Sequence, residues 1–395
     1  MQILLLSTRY IPETRPAATP FIQKLAGQFV KLGHDVRLIV PGSFDFERMQ
    51  TPLAQRLTPI TVGAGDTATA YTRFDARTTA GVQLHVLKSR SEMPSAYSRE
   101  VFGDAVGQLI LGSEFSPGTI IVFNDNVALS DNLKTCPVRI AAYTAAPNLS
   151  AQALAPSALT DFNRVIIHGQ ILAASLLEDS ANTPIARQIA NGTAEILPLC
   201  ADAIQSTPAH KQSAKASLQN SLGLPVRNDV PVFFLDLPLT QSIDALPELL
   251  KHDLQLVCKC SEDAVTEFLE TYPDRLCVVP PDVKNSAIVG AVDFCMQQNH
   301  QDNVTATILA GTVPIVPAKN NSTVLALSPD GQSGTGIVYA GNSLNVAAGK
   351  AMGLFSHPAT MTSLRKRLSH TIASIETVAA QYLPESGDLA RQQSA

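Results

Sequence analysis

Few groupings of side chains in this sequence could do chemistry. Residues 124–126, "NDN", set one carboxylate between two amides, a set that can ligate a cation or simply close a strand-to-helix turn. His300, in "NHQDN", carries the side chain that titrates near neutral pH and could move a proton, although a solvated loop histidine is the plainer reading. Arg15, in "PETRPAATP", could hold an anion or lie solvated. Its loop follows the apolar run "ILLL" in the frame of a phosphate-binding strand–loop–helix unit, yet has no glycine to let backbone N–H groups approach a phosphate. The glycines of "SGTGIVY" are too far from a helix start for a phosphate loop, and a tight turn into a strand suffices. Six cysteines (136, 200, 258, 260, 277 and 295) form no CxxC pair. Cys258 and Cys260 have the spacing of one strand face, so small apolar thiols in a strand are expected rather than metal ligands. His34, in "LGHDV", reads as a turn residue after a helix cap. No Ser/His/Asp or Cys/His constellation emerges, and no metal or other cofactor is expected.

The elements that must position these residues alternate along the chain. "QILLLS" reads as a buried parallel strand, "PFIQKLAGQFVKLG" as a helix capped by Gly33, and "HDVRLIVPG" as the next strand, a βαβ unit. Strands are expected at 83–89, 118–125, 138–144, 164–169 and 194–199, with an irregular excursion or hairpin at 61–81. Composition turns polar near residue 202. A second series follows, with strands at 232–236, 254–260, 275–280, 292–297, 313–317 and 336–340, helices between them, and helix from 343 onward. The expected division is an N-terminal Rossmann-like domain over 1–205, a linker over 206–229, a C-terminal Rossmann-like domain over 230–375, and a helix end and flexible tail over 376–395. Two doubly wound α/β domains would bind any ligand in the cleft between them, at strand C-termini.

With 395 residues the chain can bury two substantial cores. Net charge of -5 argues against a nucleic-acid partner. Tryptophan is absent and aromatics are 5 %, so stacking platforms for bases or sugars are scarce. The apolar start is too short and lacks the basic flank of a secretory segment, and no 18-residue apolar run exists to span a membrane. A cytoplasmic protein is expected.

Whole stretches resemble bacterial glycogen and plant starch synthases. "ILLLSTRYIPETR…KLAGQFVKLGHDVRLIVP" is similar to that family's opening strand, E-x-x-P loop and L-G-H-x-V turn. "AGTVPIVPAKNNSTV…GQSGTGIVYAG" looks like its Y-G-T-x-P-V-V and G-T-G-F segments, and "SLGLP" sits at its inter-domain phrase. The resemblance is collinear over nearly the whole chain and implies a GT-B fold. It also implies a retaining transfer of glucose from ADP-glucose, or another nucleotide sugar, to an α-glucan.

At the positions that carry this chemistry the residue types differ. The family's Lys-Thr-Gly-Gly loop falls on Arg15, Pro16, Ala17 and Ala18, where two glycines have become alanine and a proline removes one N–H donor. Its His-Asp pair falls on Asn124 and Asp125, and its I-H-N turn on Ala145 and Ala146. The Arg and Lys that neutralise the diphosphate leaving group fall on Asp236 and Gln241, with Ser242 for the following glycine. The Glu of E-P-C-G-L falls on His300 and its Gly on Asn303, while T-G-G-L becomes Lys319, Asn320, Asn321 and Ser322. Arg15, Ala17, Ala18, Lys319, Asn320 and Asn321 are therefore the nucleotide-sugar-binding candidates, and no catalytic residue is assigned. The expectation is an impaired or inactive transferase relative kept for binding or assembly. Its ligand would be a nucleotide sugar or glucan, with a protein partner or a second copy of the chain. An active retaining transferase with a rewired site is the alternative, and a two-domain small-molecule binder a third reading.

Overall fold

This computed structural model describes residues 1–7, 21–42, 52–65, 68–90, 98–124, 127–144, 159–179, 183–200, 208–280, 283, 285–297, 301–318, 325–328, 333–340 and 343–383. The chain divides into two compact units. One comprises Met1–His168, Asp179–Cys200 and the chain from Ser374; the other comprises Gly169–Glu178 and Ala201–Ala373.

The first unit is built on β1 (Gln2–Leu6), β2 (Asp35–Pro41), β3 (Ala54–Gln55), β4 (Ile60–Val62), β5 (Thr69–Arg77), β6 (Gln83–Ser89), β7 (Thr119–Phe123), β8 (Val138–Tyr143), β9 (Arg164–His168) and β10 (Glu195–Leu197), followed by β11 (Leu199–Cys200). In its sheet the order is β10-β9-β8-β7-β1-β2-β6-β5-β3. From β10 to β6 the strands are parallel, and β5 turns antiparallel against β6. β4 also pairs antiparallel with β5, which makes the excursion at 61–81 a hairpin. Order reverses between β1 and β7, the switch point at which a doubly wound sheet opens its crevice.

Helices α1 (Phe21–Lys31), α2 (Arg99–Leu111), α3 (Asp131–Lys134) and α5 (Pro184–Ala190), with the last helix α13 (Ile375–Tyr382), complete this unit, while α4 (Gln170–Asp179) lies almost wholly in the other. α1 buries Ile22, Leu25, Ala26 and Phe29, while Leu32, beyond its end, is 47 % exposed. Gly33 ends the helix at φ +84, a left-handed turn that a side chain would strain. α2 comes so close to the chain at Ala128 that a Cβ on Gly103 would sit 2.0 Å from its carbonyl oxygen. α13 is fastened by Arg164, whose guanidinium donates to the Gln381 and Tyr382 carbonyls at 2.7 and 3.2 Å while pairing with Glu195. A cation there complements the helix C-terminus.

The second unit contains α6 (Pro208–Ser221), β12 (Val232–Asp236), α7 (Leu239–Leu249), β13 (Gln255–Lys259), α8 (Thr266–Thr271), β14 (Leu276–Val279), α9 (Ser286–Val289), β15 (Phe294–Gln297), α10 (Gln301–Leu309), β16 (Val313–Pro317), β17 (Ile337–Tyr339), α11 (Leu344–Phe355) and α12 (Pro358–His370). Its six-stranded sheet is all parallel, in the order β14-β13-β12-β15-β16-β17. The strands are short and almost wholly apolar because helices cover both faces. Order reverses here between β12 and β15, where Asp236 stands in register with Gln297. Both units are thus doubly wound, the expected α/β architecture.

α6 occupies the polar segment expected as linker. Its inward face is polar: Lys211, Lys215 and Gln219, spaced by four, are 4 %, 4 % and 0 % exposed. Their nitrogens find acceptors along the sheet's N-terminal edge, while Gln219 Oε1 meets no donor among the described residues. Lys211 donates to Thr312 Oγ1 at 2.5 Å and to the Val289 and Ala310 carbonyls. Lys215 donates to the Val230 carbonyl at 2.5 Å and to Asp293 at 2.8 Å, and Gln219 to Gln255 at 2.6 Å. Such a face is tolerable only because every head group meets an acceptor.

Candidate functional site: the C-terminal edges of the two sheets

In the second unit the switch point gathers Asp236, Lys259 and Gln297, each the last residue of its strand. Parallel strands end together, so residues far apart in sequence share one edge. Asp236 is half-buried, and its carboxylate accepts a hydrogen bond from Asn285 Nδ2 at 2.6 Å. Asn285 Oδ1 accepts from Lys259 Nζ at 2.8 Å. Asn285 sits at the N-cap of α9, but its side chain makes no cap bond, being spent on this Lys259–Asn285–Asp236 relay. Gln297 is 1 % exposed; its Oε1 accepts from Thr307 Oγ1 at 3.2 Å, while its buried Nε2 meets no acceptor among the described residues. Gln241 is exposed in the first turn of α7, and Ser242 is buried with its hydroxyl on the Leu237 carbonyl at 3.3 Å.

In the first unit the described edge residue is Asn124, just past β7. Its φ is +55, the one positive value at a non-glycine residue among those described. Asparagine tolerates this geometry. Its backbone N–H donates to the Ala142 carbonyl at 2.7 Å, and its Oδ1 accepts from the Thr144 N–H at 3.0 Å. The side chain thus latches the ends of β7 and β8 together. His168 ends β9 and is sealed: Tyr382 Oη lies 2.7 Å from Nε2, and Phe21 packs edge-on at 4.6 Å. Burial pushes its imidazole down to about 4, against the opposing contact with the Pro198 carbonyl. It is neutral at pH 7 and turned to packing.

Arg15, Pro16, Ala17, Ala18, Asp125, Ala145, Ala146, His300, Lys319, Asn320, Asn321 and Ser322 lie outside the described residues. Asn303 falls within α10, whose bounds are described while that side chain is not. The structure thus brings Asp236 together with Lys259, Asn285 and Gln297, three residues that motif reading passed over. Spacing held a signal for Lys259 and Gln297, which, like Asp236, are polar residues closing apolar strands, but none for Asn285.

The cysteines are all free. Cys258 and Cys260 are buried at the end of β13. A hydrogen bond from Cys258 draws the Cys260 thiol down to about 7 and pushes Cys258 up. Among the described residues no group of three or more His, Cys, Asp or Glu could hold a metal, and no helix is long and apolar enough to cross a membrane.

No family model matches the chain. Glycogen synthases of Streptococcus pneumoniae, strains Hungary19A-6 and CGSP14 among them, are 31 % identical over 196 residues, which cover 44 % of this chain. The match spans 41 % of the length of those relatives. The catalytic domain of Starch Synthase IV from Arabidopsis thaliana, bound to ADP and acarbose, superposes with a TM-score of 0.63 at 13 % identity, covering 96 % of this chain and 97 % of that one. The chain is glycogen/starch synthase-like, with a GT-B fold. Anabaena Alr3699/HepE in complex with UDP has the same architecture, at a TM-score of 0.52 and 13 % identity with full cover of both chains. The second unit's switch point holds a carboxylate, Asp236.

Proposed function

We propose that this glycogen/starch synthase-like protein has lost most or all sugar-transfer activity and is kept for binding or assembly. One observation carries the reading: Asp236, at the switch point, is held in place by Asn285 at 2.6 Å. Departure of a nucleoside diphosphate leaves negative charge on its phosphates, and preorganised cations are the largest expected source of catalysis. A carboxylate there repels. At ~4 Å and an effective dielectric of ~20 each unit interaction is roughly 4 kcal/mol, so reversing its sign costs several powers of ten in rate. Gln241 removes the second cation. The Arabidopsis domain holds ADP and acarbose, and HepE holds UDP. A nucleoside diphosphate or glucan is accordingly the ligand class, bound without turnover, with a protein partner or second copy as the other outlet. Six free thiols fit a reducing, cytoplasmic setting.

The second reading, a working retaining transferase that moves glucose from ADP-glucose or another nucleotide sugar to an α-glucan, draws support from Lys259. Through Asn285 it brings one cation to the same strand edge. Calorimetric titration with ADP, UDP, ADP-glucose and UDP-glucose, beside a turnover assay on a glucan primer, separates the two. Weak nucleotide binding and no incorporated glucose are expected; incorporation above a no-protein control overturns the first reading. The double variant Asp236→Arg/Gln241→Lys should bind ADP at least about tenfold more tightly, a gain of ~1.4 kcal/mol.

A further inference from the structure

At the opposite, N-terminal edge of the second unit's sheet lies a cavity of about 420 Å³, within the range of small-molecule sites. α6, α12, the end of α11 and the chain around Asp229 and Asp293 line it. Three cations face it: Lys211, Lys215 and Arg365. Against them stand Asp293 and Asp229, and Asp229 is already held by Arg227 at 2.8 Å. Asp293, 3 % exposed, accepts from Lys215 and the Val232 N–H on one oxygen and from Arg365 Nη2 at 2.7 Å on the other. The lysine donors are likewise committed to protein acceptors. Arg365 is different. One of its N–H groups meets Asp293, while its buried Nε meets no acceptor among the described residues. A guanidinium with a donor to spare, beside surplus positive charge in a concave site, matches an oxyanion. The remaining wall is apolar, with Phe355, whose ring lies 4.9 Å from Lys215 Nζ, and Met361.

We propose that this cavity is a binding site for a small organic oxyanion, its anionic head on Arg365 beside Lys215 and its apolar body against Phe355 and Met361. It lies at the sheet edge opposite Asp236 and does not depend on any activity there. Burial holds Lys211 down at about 7, so the cationic surplus at the back of the cavity comes mainly from Lys215 and Arg365.

Titration calorimetry on the full chain with phenyl phosphate, benzoate and inorganic phosphate tests this. Phenyl phosphate or benzoate should bind saturably, about tenfold more tightly than inorganic phosphate; whichever of the two binds better identifies the head group as phosphate or carboxylate. Thr362, exposed on α12 at the cavity wall, offers a variant that leaves the ion cluster intact. Thr362→Phe should keep the melting temperature of the unliganded protein and weaken binding at least tenfold. Arg365→Lys, which keeps the charge and loses the fork, should weaken it by a similar factor. Saturating ADP should leave the affinity unchanged. Absence of saturable binding by both organic probes, binding indifferent to Thr362→Phe, or displacement by ADP would each overturn the assignment.

Discussion

At the C-terminal edge of the second unit's sheet, Asp236 is half-buried and is linked to Lys259 through Asn285. At the N-terminal edge, Asp293 is 3 % exposed and is held directly by Lys215 and Arg365. The first arrangement leaves donors unspent and carboxylate surface open to water, so a change of residue there costs the fold little. The second encloses charges that have no water to fall back on, and removing one strands the others. Sites of chemistry can therefore change their residue types while the scaffold beneath them is held by polar groups that tolerate no such exchange.

Asp293→Ala should break this comparison most sharply. It leaves Lys215 buried without its counter-ion, and a loss of about 3–5 kcal/mol is expected in urea denaturation. A loss below about 1 kcal/mol would mean that the two edges do not differ as described. Acid unfolding extends the contrast to the first unit, where His168 is a sealed residue at a C-terminal edge. Burial holds its folded pKa at about 4, below the ordinary histidine value of about 6.5. Between those pH values the unfolded chain binds the extra proton, so stability is fully present above about pH 6.5 and falls as pH drops toward 4. The drop should be roughly 3 kcal/mol in all, and His168→Gln should flatten that part of the profile. The same unit holds Asp75, which burial alone would raise but which hydrogen bonds from His85, Arg73 and Arg56 keep far below the usual carboxylate range. Its contribution is present above about pH 4 and is lost only in stronger acid. Smallest of all should be Asp236→Asn, expected to change stability by less than about 1 kcal/mol because the group is partly solvated. A larger loss in the same denaturation series would show that the open edge is structural after all.

The architecture was legible because parallel strands covered on both faces appear as short apolar runs, such as "QILLL" and "VFFLD", and each occurs where expected. Asp236 was legible as a strand-end residue because β12 ends on it and α7 follows closely in sequence. Its partners were not. Asn285 lies 49 residues from Asp236, and Lys259 another 26 from Asn285, so the relay exists only after strands have paired. α6 was hidden for a different reason. "HKQSAKASLQNS" has no apolar stripe, and Lys211, Lys215 and Gln219 read as a solvated face until the sheet supplies their acceptors. The loop around Arg15 and Ala17, together with Lys319 to Asn321, remains on the sequence reading alone.

The polar seam of α6 also sets an order of events during synthesis. Lys215 finds Asp293 across 78 residues and Lys211 finds Thr312 across 101, while Arg365 comes another 72 residues after Asp293. As the chain leaves the ribosome, α6 emerges first and has no route to neutralise its inward face against the strands that follow it. Loop closure over such spans delays the reward for docking. The second unit should thus remain loosely held until β15 and β16 have been made, and lock only when α12 delivers Arg365, so a nascent chain halted before residue 365 is the form most exposed to misfolding and proteolysis.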